Sequence, residues 1–183
     1  MKNKSFLLLL LLFSLPVWAD SITPTNWQSG FYEAQLNNTP IQMVCVDALR
    51  HGPPMGVTYQ ATVAHFSDLT LTRHPDLLQN YTAAAWLYDQ MHANPSAAAQ
   101  IQTAIWGLLT PSVGSSLSPW SIAALNAASF DTSQFIIITP ASGNLQEMIA
   151  RITPLTPVPE PATLVLLGFG LLGMSRGLRK KIR

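Results

Sequence analysis

The chain holds one cysteine, Cys45, inside the apolar run IQMVCVDA from Ile41 to Ala48. A thiol without a second cysteine cannot close an internal disulfide. Three fates remain: a bond to another chain, a reactive nucleophile, or a small buried hydrophobe. As a nucleophile it would need a base, and His65 or His74 could serve in a secreted Cys45 enzyme. No local signature accompanies that pairing. The four histidines, His51, His65, His74 and His92, lack the HExxH spacing of a zinc site. No metal or other cofactor is therefore expected, and no glycine-rich phosphate loop is present. Two further segments look alike, AAAW ending at Trp86 and TAIW ending at Trp106, with Gln102 opening the QTAIW stretch. Read plainly, they are two tryptophans in the core of a helical hairpin, with Gln102 a polar position on an amphipathic helix.

The elements that must position these residues follow from periodicity. Asp20 to Asn38 is polar and turn-rich, with a short strand-like patch at Phe31-Tyr32. Ile41 to Ala48 is β-branched and apolar enough for a buried strand that carries Cys45. Pro and Gly in RHGPPMG make Arg50 to Gly56 a loop, and VTYQATVAHF alternates as a second strand from Val57 to Phe66. The period then changes. Between Pro75 and His92, Ala84, Leu87, Tyr88 and Met91 fall on one helical face. Asn94-Pro95 ends that helix, Ser96 is the expected cap of the next, and Ile101, Ala104, Ile105 and Leu108 form its stripe as far as Leu109. A third helix is expected from Ser118 to Ala128 with Pro119 in its first turn, and FIIIT from Phe135 to Thr139 is a late, buried strand. The expected class is α+β: early β-strands, a central helical hairpin and a late strand, followed by a C-terminal transmembrane helix.

QxAIW at Gln102 to Trp106, preceded by VCVD at Val44 to Asp47, resembles the glutamine and cysteine sides of bacterial thioester domains, found on surface adhesins. The order, cysteine before glutamine, is that of the family, and the gap leaves room for helices. One departure is Ile101, where the family usually has threonine. The resemblance spans Ile41 to Leu109 and implies an internal thioester between Cys45 and Gln102. The Cys45 thiolate would attack the Gln102 carboxamide carbon and expel ammonia, and an amine on a target surface would later displace the sulfur to form an amide. Such chemistry needs the two side chains in contact and water excluded, which Val44, Val46, Ile105 and Trp106 could help provide.

The two ends carry addresses rather than chemistry. Lys2 and Lys4, the leucine-rich run Phe6 to Phe13, Pro16 and Val17-Trp18-Ala19 follow the three-part plan of a secretory signal peptide, so residues 1–19 are expected to be removed by signal peptidase. At the other end Pro159-Glu160-Pro161 precedes an uncharged Leu/Gly-rich stretch, Ala162 to Met174, and then Arg176, Arg179, Lys180, Lys181 and Arg183. Cations next to an apolar run favour the cytoplasmic side and act as a stop-transfer brake. The stretch approaches the roughly 20 residues of a span only if Pro157 to Leu178 is counted. This order of parts, over about the last 26 residues, resembles the PEP-CTERM sorting domain. The resemblance implies handling by an exosortase, a membrane cysteine protease. Pro159, Glu160 and Pro161 would be its recognition residues, held extended by the two prolines. A GPI signal would end apolar, whereas this chain ends RKKIR.

The expected organisation is a signal peptide at 1–19, a body at 20–152, a proline-rich linker at 153–158 and a sorting signal at 159–183. Between Asp20 and Val158 there are eight acids and only three bases, Arg50, Arg73 and Arg151. So acidic a body lacks the footprint for nucleic acid. The expectation is a bacterial, exported, non-enzymatic protein, anchored at the inner membrane and then passed to the cell envelope or extracellular matrix. Its body would attach to an amine-bearing surface or exopolysaccharide matrix if Cys45 and Gln102 are joined. A secreted enzyme with Cys45 as nucleophile, or a plain structural matrix component, are the alternatives.

Overall fold

Two tight turns start the architecture. Ser29 and Gly30 have φ of 53° and 88°, and Asn37 and Asn38 have φ of 50° and 69°. Positive φ at both central residues makes a type I′ turn, whose twist matches that of the strands it joins. The computed structural model describes residues 19–152 apart from 111, 113–116 and 128, all within a unit that ends at Ile152. Its first strands, β1 (Asp20–Gln28), β2 (Phe31–Leu36) and β3 (Thr39–Cys45), are joined by these two turns. Asn37 also reaches back across the sheet, its Nδ2 donating to Asp20 Oδ1 at 2.6 Å while Ser21 N donates to its Oδ1 at 2.9 Å.

Strands β4 (Tyr59–His65), β5 (Phe135–Pro140) and β6 (Met148–Arg151) complete the sheet. The order is β1-β2-β3-β6-β5-β4, β4 pairs back with β1, and every pair is antiparallel, so the sheet closes into a barrel. This overturns the expected α+β arrangement of early strands, central hairpin and late strand. The outward faces of β1 and β2 are largely polar and solvated, so their inward residues, such as Ile22 and Ala34, hardly stand out from the sequence around them. MIAR of β6 is too short to show a period.

The interior is filled by side chains from every strand, Ile22, Ala34, Met43, Ala61, Ile136 and Met148 among them. Helices α1 (Leu78–Ala93), α2 (Ala98–Leu109) and α3 (Pro119–Asn126) cover the outside of β3, β6 and β5, packing on Val44, Ile149, Phe135 and Ile137. Strand β5 is thus buried on both faces, which is why FIIIT is a continuous apolar run rather than an alternating one.

The helical periodicity holds. Ala84, Leu87, Tyr88 and Met91 of α1 and Ile101, Ala104, Ile105 and Leu108 of α2 are all buried. The start of α2 differs from expectation. Pro95–Ala97 forms a 3₁₀ turn, and no side chain caps the helix that begins at Ala98. Ser118 does cap α3, its hydroxyl accepting from Ser121 N at 3.1 Å with Pro119 at the first position. Among the described residues no helix is long and apolar enough to cross a membrane. The signal peptide and the C-terminal transmembrane helix expected from the sequence fall outside the described residues.

Candidate functional site

Cys45 is the last residue of β3 and faces the barrel interior, as the alternation Ile41, Met43, Cys45 requires. Register supplies its neighbours. Tyr32 on β2 stands opposite Met43, Met148 on β6 stands opposite Cys45, and Tyr59 on β4 pairs with the inward-facing Ile22. Tyr32 and Tyr59 both pack against the cluster that contains Cys45. Gly52, in the loop predicted over Arg50 to Gly56, lets the Tyr32 hydroxyl in. A Cβ built at this position would collide with that oxygen.

Helix α2 brings the second expected residue to the same place. Gln102 Nε2 donates to the backbone oxygen of Cys45 at 2.7 Å, so the carboxamide lies against the cysteine residue. Trp106 is one turn further along and also packs against the barrel-interior cluster. Its partner in the apparent repeat, Trp86, packs instead against the helix-side core. Two buried polar atoms here have no hydrogen-bond partner, Tyr59 Oη and Trp106 Nε1.

The environment disfavours charge. Burial pushes the Cys45 thiol up to about 12, with the Tyr32 hydroxyl pulling it back and Asp47 adding to the rise. Burial likewise raises Tyr32 to about 12, with Cys45 contributing, and raises Tyr59 further. Low dielectric penalises a thiolate or phenolate and leaves an uncharged S-acyl group unpenalised.

A buried ionic frame holds the end of β3. Asp47, 3% exposed, is paired with Arg50 and, at 2.8 Å, with Arg73. Arg73 also donates from Nη2 to Leu145 O at 2.7 Å and from its backbone N to Glu147 Oε1 at 3.0 Å. The fully buried Glu147 accepts further from Tyr81 and, at 2.5 Å, from Thr139. Val46 N donates to Glu147 O at 2.9 Å, and Ala48 N donates to Thr110 Oγ1, just past the end of α2, at 3.3 Å. The same frame therefore ties the Cys45 strand to β6 and to the helix that carries Gln102.

Sequence reasoning singled out Cys45 and Gln102, which the fold brings together, and did not single out Tyr32, Tyr59, Asp47, Arg73 and Glu147. The acidic composition held one signal for the frame. With three arginines in the body, each is placed: Arg50 and Arg73 on Asp47, Arg151 on Asp89 at 3.1 Å. Pro159, Glu160 and Pro161, with Arg176, Arg179, Lys180, Lys181 and Arg183, lie outside the described residues.

No curated protein matches the chain. Among solved structures it is similar to the N-terminal thioester domain of fibronectin-binding protein SfbI from Streptococcus pyogenes, with a TM-score of 0.44 and 13% identity over 77% of this chain and 97% of that one. A family model, the PEP-CTERM protein-sorting motif, matches residues 157–181. The match includes Pro159, Glu160 and Pro161 and all the basic residues named above except Arg183. The chain thus carries a PEP-CTERM protein-sorting motif at its C-terminal end, which implies export in a bacterium and sorting to the cell surface by an exosortase, a membrane protein.

Proposed function

We propose that the body is a surface-displayed module for covalent attachment, in which Cys45 and Gln102 join as an internal thioester that reacts with amines. The observation that carries this reading is the hydrogen bond from Gln102 Nε2 to Cys45 O. It places the carboxamide of one expected partner on the residue that bears the thiol of the other. Formation is balanced within the chain. The sulfur–carbon bond replaces the carbon–nitrogen bond of Gln102, and the thiol proton leaves with the nitrogen as ammonia. Burial of Cys45 supports an uncharged sulfur and keeps water, the competing nucleophile, away. A target amine then attacks the acyl carbon, an amide forms, and the thiol is regenerated. Each molecule does this once, so the protein is an adhesive rather than an enzyme. Its partners would be a lysine-bearing surface or an amine-bearing exopolysaccharide in the matrix outside the cell, reached after signal peptidase and exosortase have acted.

Intact mass tests the reading. The full exported chain is expected to be lighter by one ammonia than its sequence requires, and methylamine is expected to add to it. Cys45→Ala and Gln102→Ala controls, processed identically, should show neither effect. An unmodified mass with a free, buried thiol would refute the proposal and leave a plain matrix component.

A further inference from the structure

The acyl oxygen of Gln102 keeps its place through every step of the chemistry above, and it is the atom on which negative charge collects. When Cys45 Sγ adds to the carboxamide carbon the oxygen becomes an oxyanion. It does so again when an amine adds to the thioester. A buried site accelerates both steps only if hydrogen-bond donors are already aimed at that oxygen. The carboxamide nitrogen has its partner in Cys45 O. Among the described residues no donor is paired with Gln102 Oε1. Next to the same cluster sit two buried polar atoms whose donor capacity is unused, Tyr59 Oη and Trp106 Nε1.

Their placement is not incidental. Trp106 is four residues beyond Gln102 on α2, so both lie on one helical face. Helical side chains lean toward the N-terminus, which carries the indole back over the turn that bears Gln102. Tyr59 begins β4 on the inward side, across the barrel from β3. A buried donor left unpaired costs about 1–3 kcal/mol, and two such donors in one small cluster call for an acceptor.

We infer that Tyr59 Oη and Trp106 Nε1 are the donors for the acyl oxygen of the Cys45–Gln102 thioester and for the oxyanion that precedes and follows it. The inference rests on the thioester reading. Tyr32 has a different part, since its hydroxyl seats in the space that Gly52 leaves open. Two donors serving the acyl oxygen would let the fold hold the thioester and still release it to an amine.

The test compares Tyr59→Phe and Trp106→Phe in the full chain, with thermal unfolding as the fold check. Either variant should slow methylamine incorporation about a hundredfold, the scale of losing one oxyanion donor. Isotope-edited infrared spectra with ¹³Cδ-labelled glutamine supply a second readout. Loss of a donor should move the thioester carbonyl stretch to higher frequency, which a purely structural role would not do. In a Cys45→Ala background, where no thioester can form, Tyr59→Phe should be neutral or stabilising, because it removes an unsatisfied hydroxyl. Both variants retaining the ammonia-loss mass with unchanged rate and carbonyl frequency would overturn the inference and leave the thioester reading intact. A wild-type chain of unmodified mass would overturn both.

Discussion

Replacing Arg73 with methionine removes a buried cation while keeping most of its aliphatic stem. Two hydrogen bonds disappear, to Asp47 Oδ2 at 2.8 Å and to Leu145 O at 2.7 Å. Asp47 stays behind with its side chain 4% exposed and with Arg50 and the Leu49 N–H, at 3.0 Å, as its remaining partners. Removing one side of a buried pair costs about 3–5 kcal/mol, because the other charge stays desolvated. The Arg50 pair offsets part of that, which sets the expected loss near 3 kcal/mol, or roughly 10 °C in Tm for a body of this size. Arg50→Met is the internal control. Its side chain is 36% exposed against 13% for Arg73, so solvent screens the lost pair and the cost should stay below about 1 kcal/mol. Adding Asp47→Asn to Arg73→Met should recover at least about 1 kcal/mol, since the uncompensated carboxylate is what costs most. Urea unfolding followed by tryptophan fluorescence gives all four values on one scale. Arg73→Met and Arg50→Met costing the same within about 0.5 kcal/mol, or no recovery on adding Asp47→Asn, would refute the idea that this network clamps the cysteine strand.

Two further outcomes concern the thiol and its loop. In Gln102→Ala, which cannot form the thioester, native Cys45 should react with iodoacetamide at pH 8 about a thousandfold more slowly than an unperturbed thiol, because burial raises it from 9.0 to about 12. The rate should climb with pH instead of levelling above 9. The sign for stability follows: a raised pKa leaves the native state protonated while the unfolded thiol ionises, so the contribution is whole below pH 9 and is lost between 9 and 12. A Cys45→Ala variant with the same alkaline loss as Gln102→Ala would contradict this. Gly52→Ala puts a methyl group against the Tyr32 hydroxyl and should cost about 1–3 kcal/mol, and Tyr32→Phe should recover most of it. Thermal melts showing additive effects would place the strain elsewhere.

The sorting motif at residues 157–181 was legible because it is linear. Such a motif is a short stretch of chain, so Pro159-Glu160-Pro161 and the basic cluster need no fold to be read. The helices were legible for a related reason. A 3.6-residue period is a local property, and Ala84, Leu87, Tyr88 and Met91 declare it within two turns. Cys45 and Gln102 could be singled out as a pair by their short motifs. Barrel closure could not be read this way, because nothing within a strand names the strand it pairs with. The Asn37-Asn38 turn, with φ positive at both residues, lay inside a stretch read only as polar and turn-rich. Tyr32 and Tyr59 enter the site through register, which a shift of one residue would reverse. The Asp47–Arg73 pair and the Glu147 side chain are joined across separations of 26 to 74 residues. Sequence by itself determined the sorting motif and singled out Cys45 and Gln102 as a pair to look for. Tertiary structure alone decided what surrounds them, because burial and donor placement belong to pairings between segments and to no segment singly.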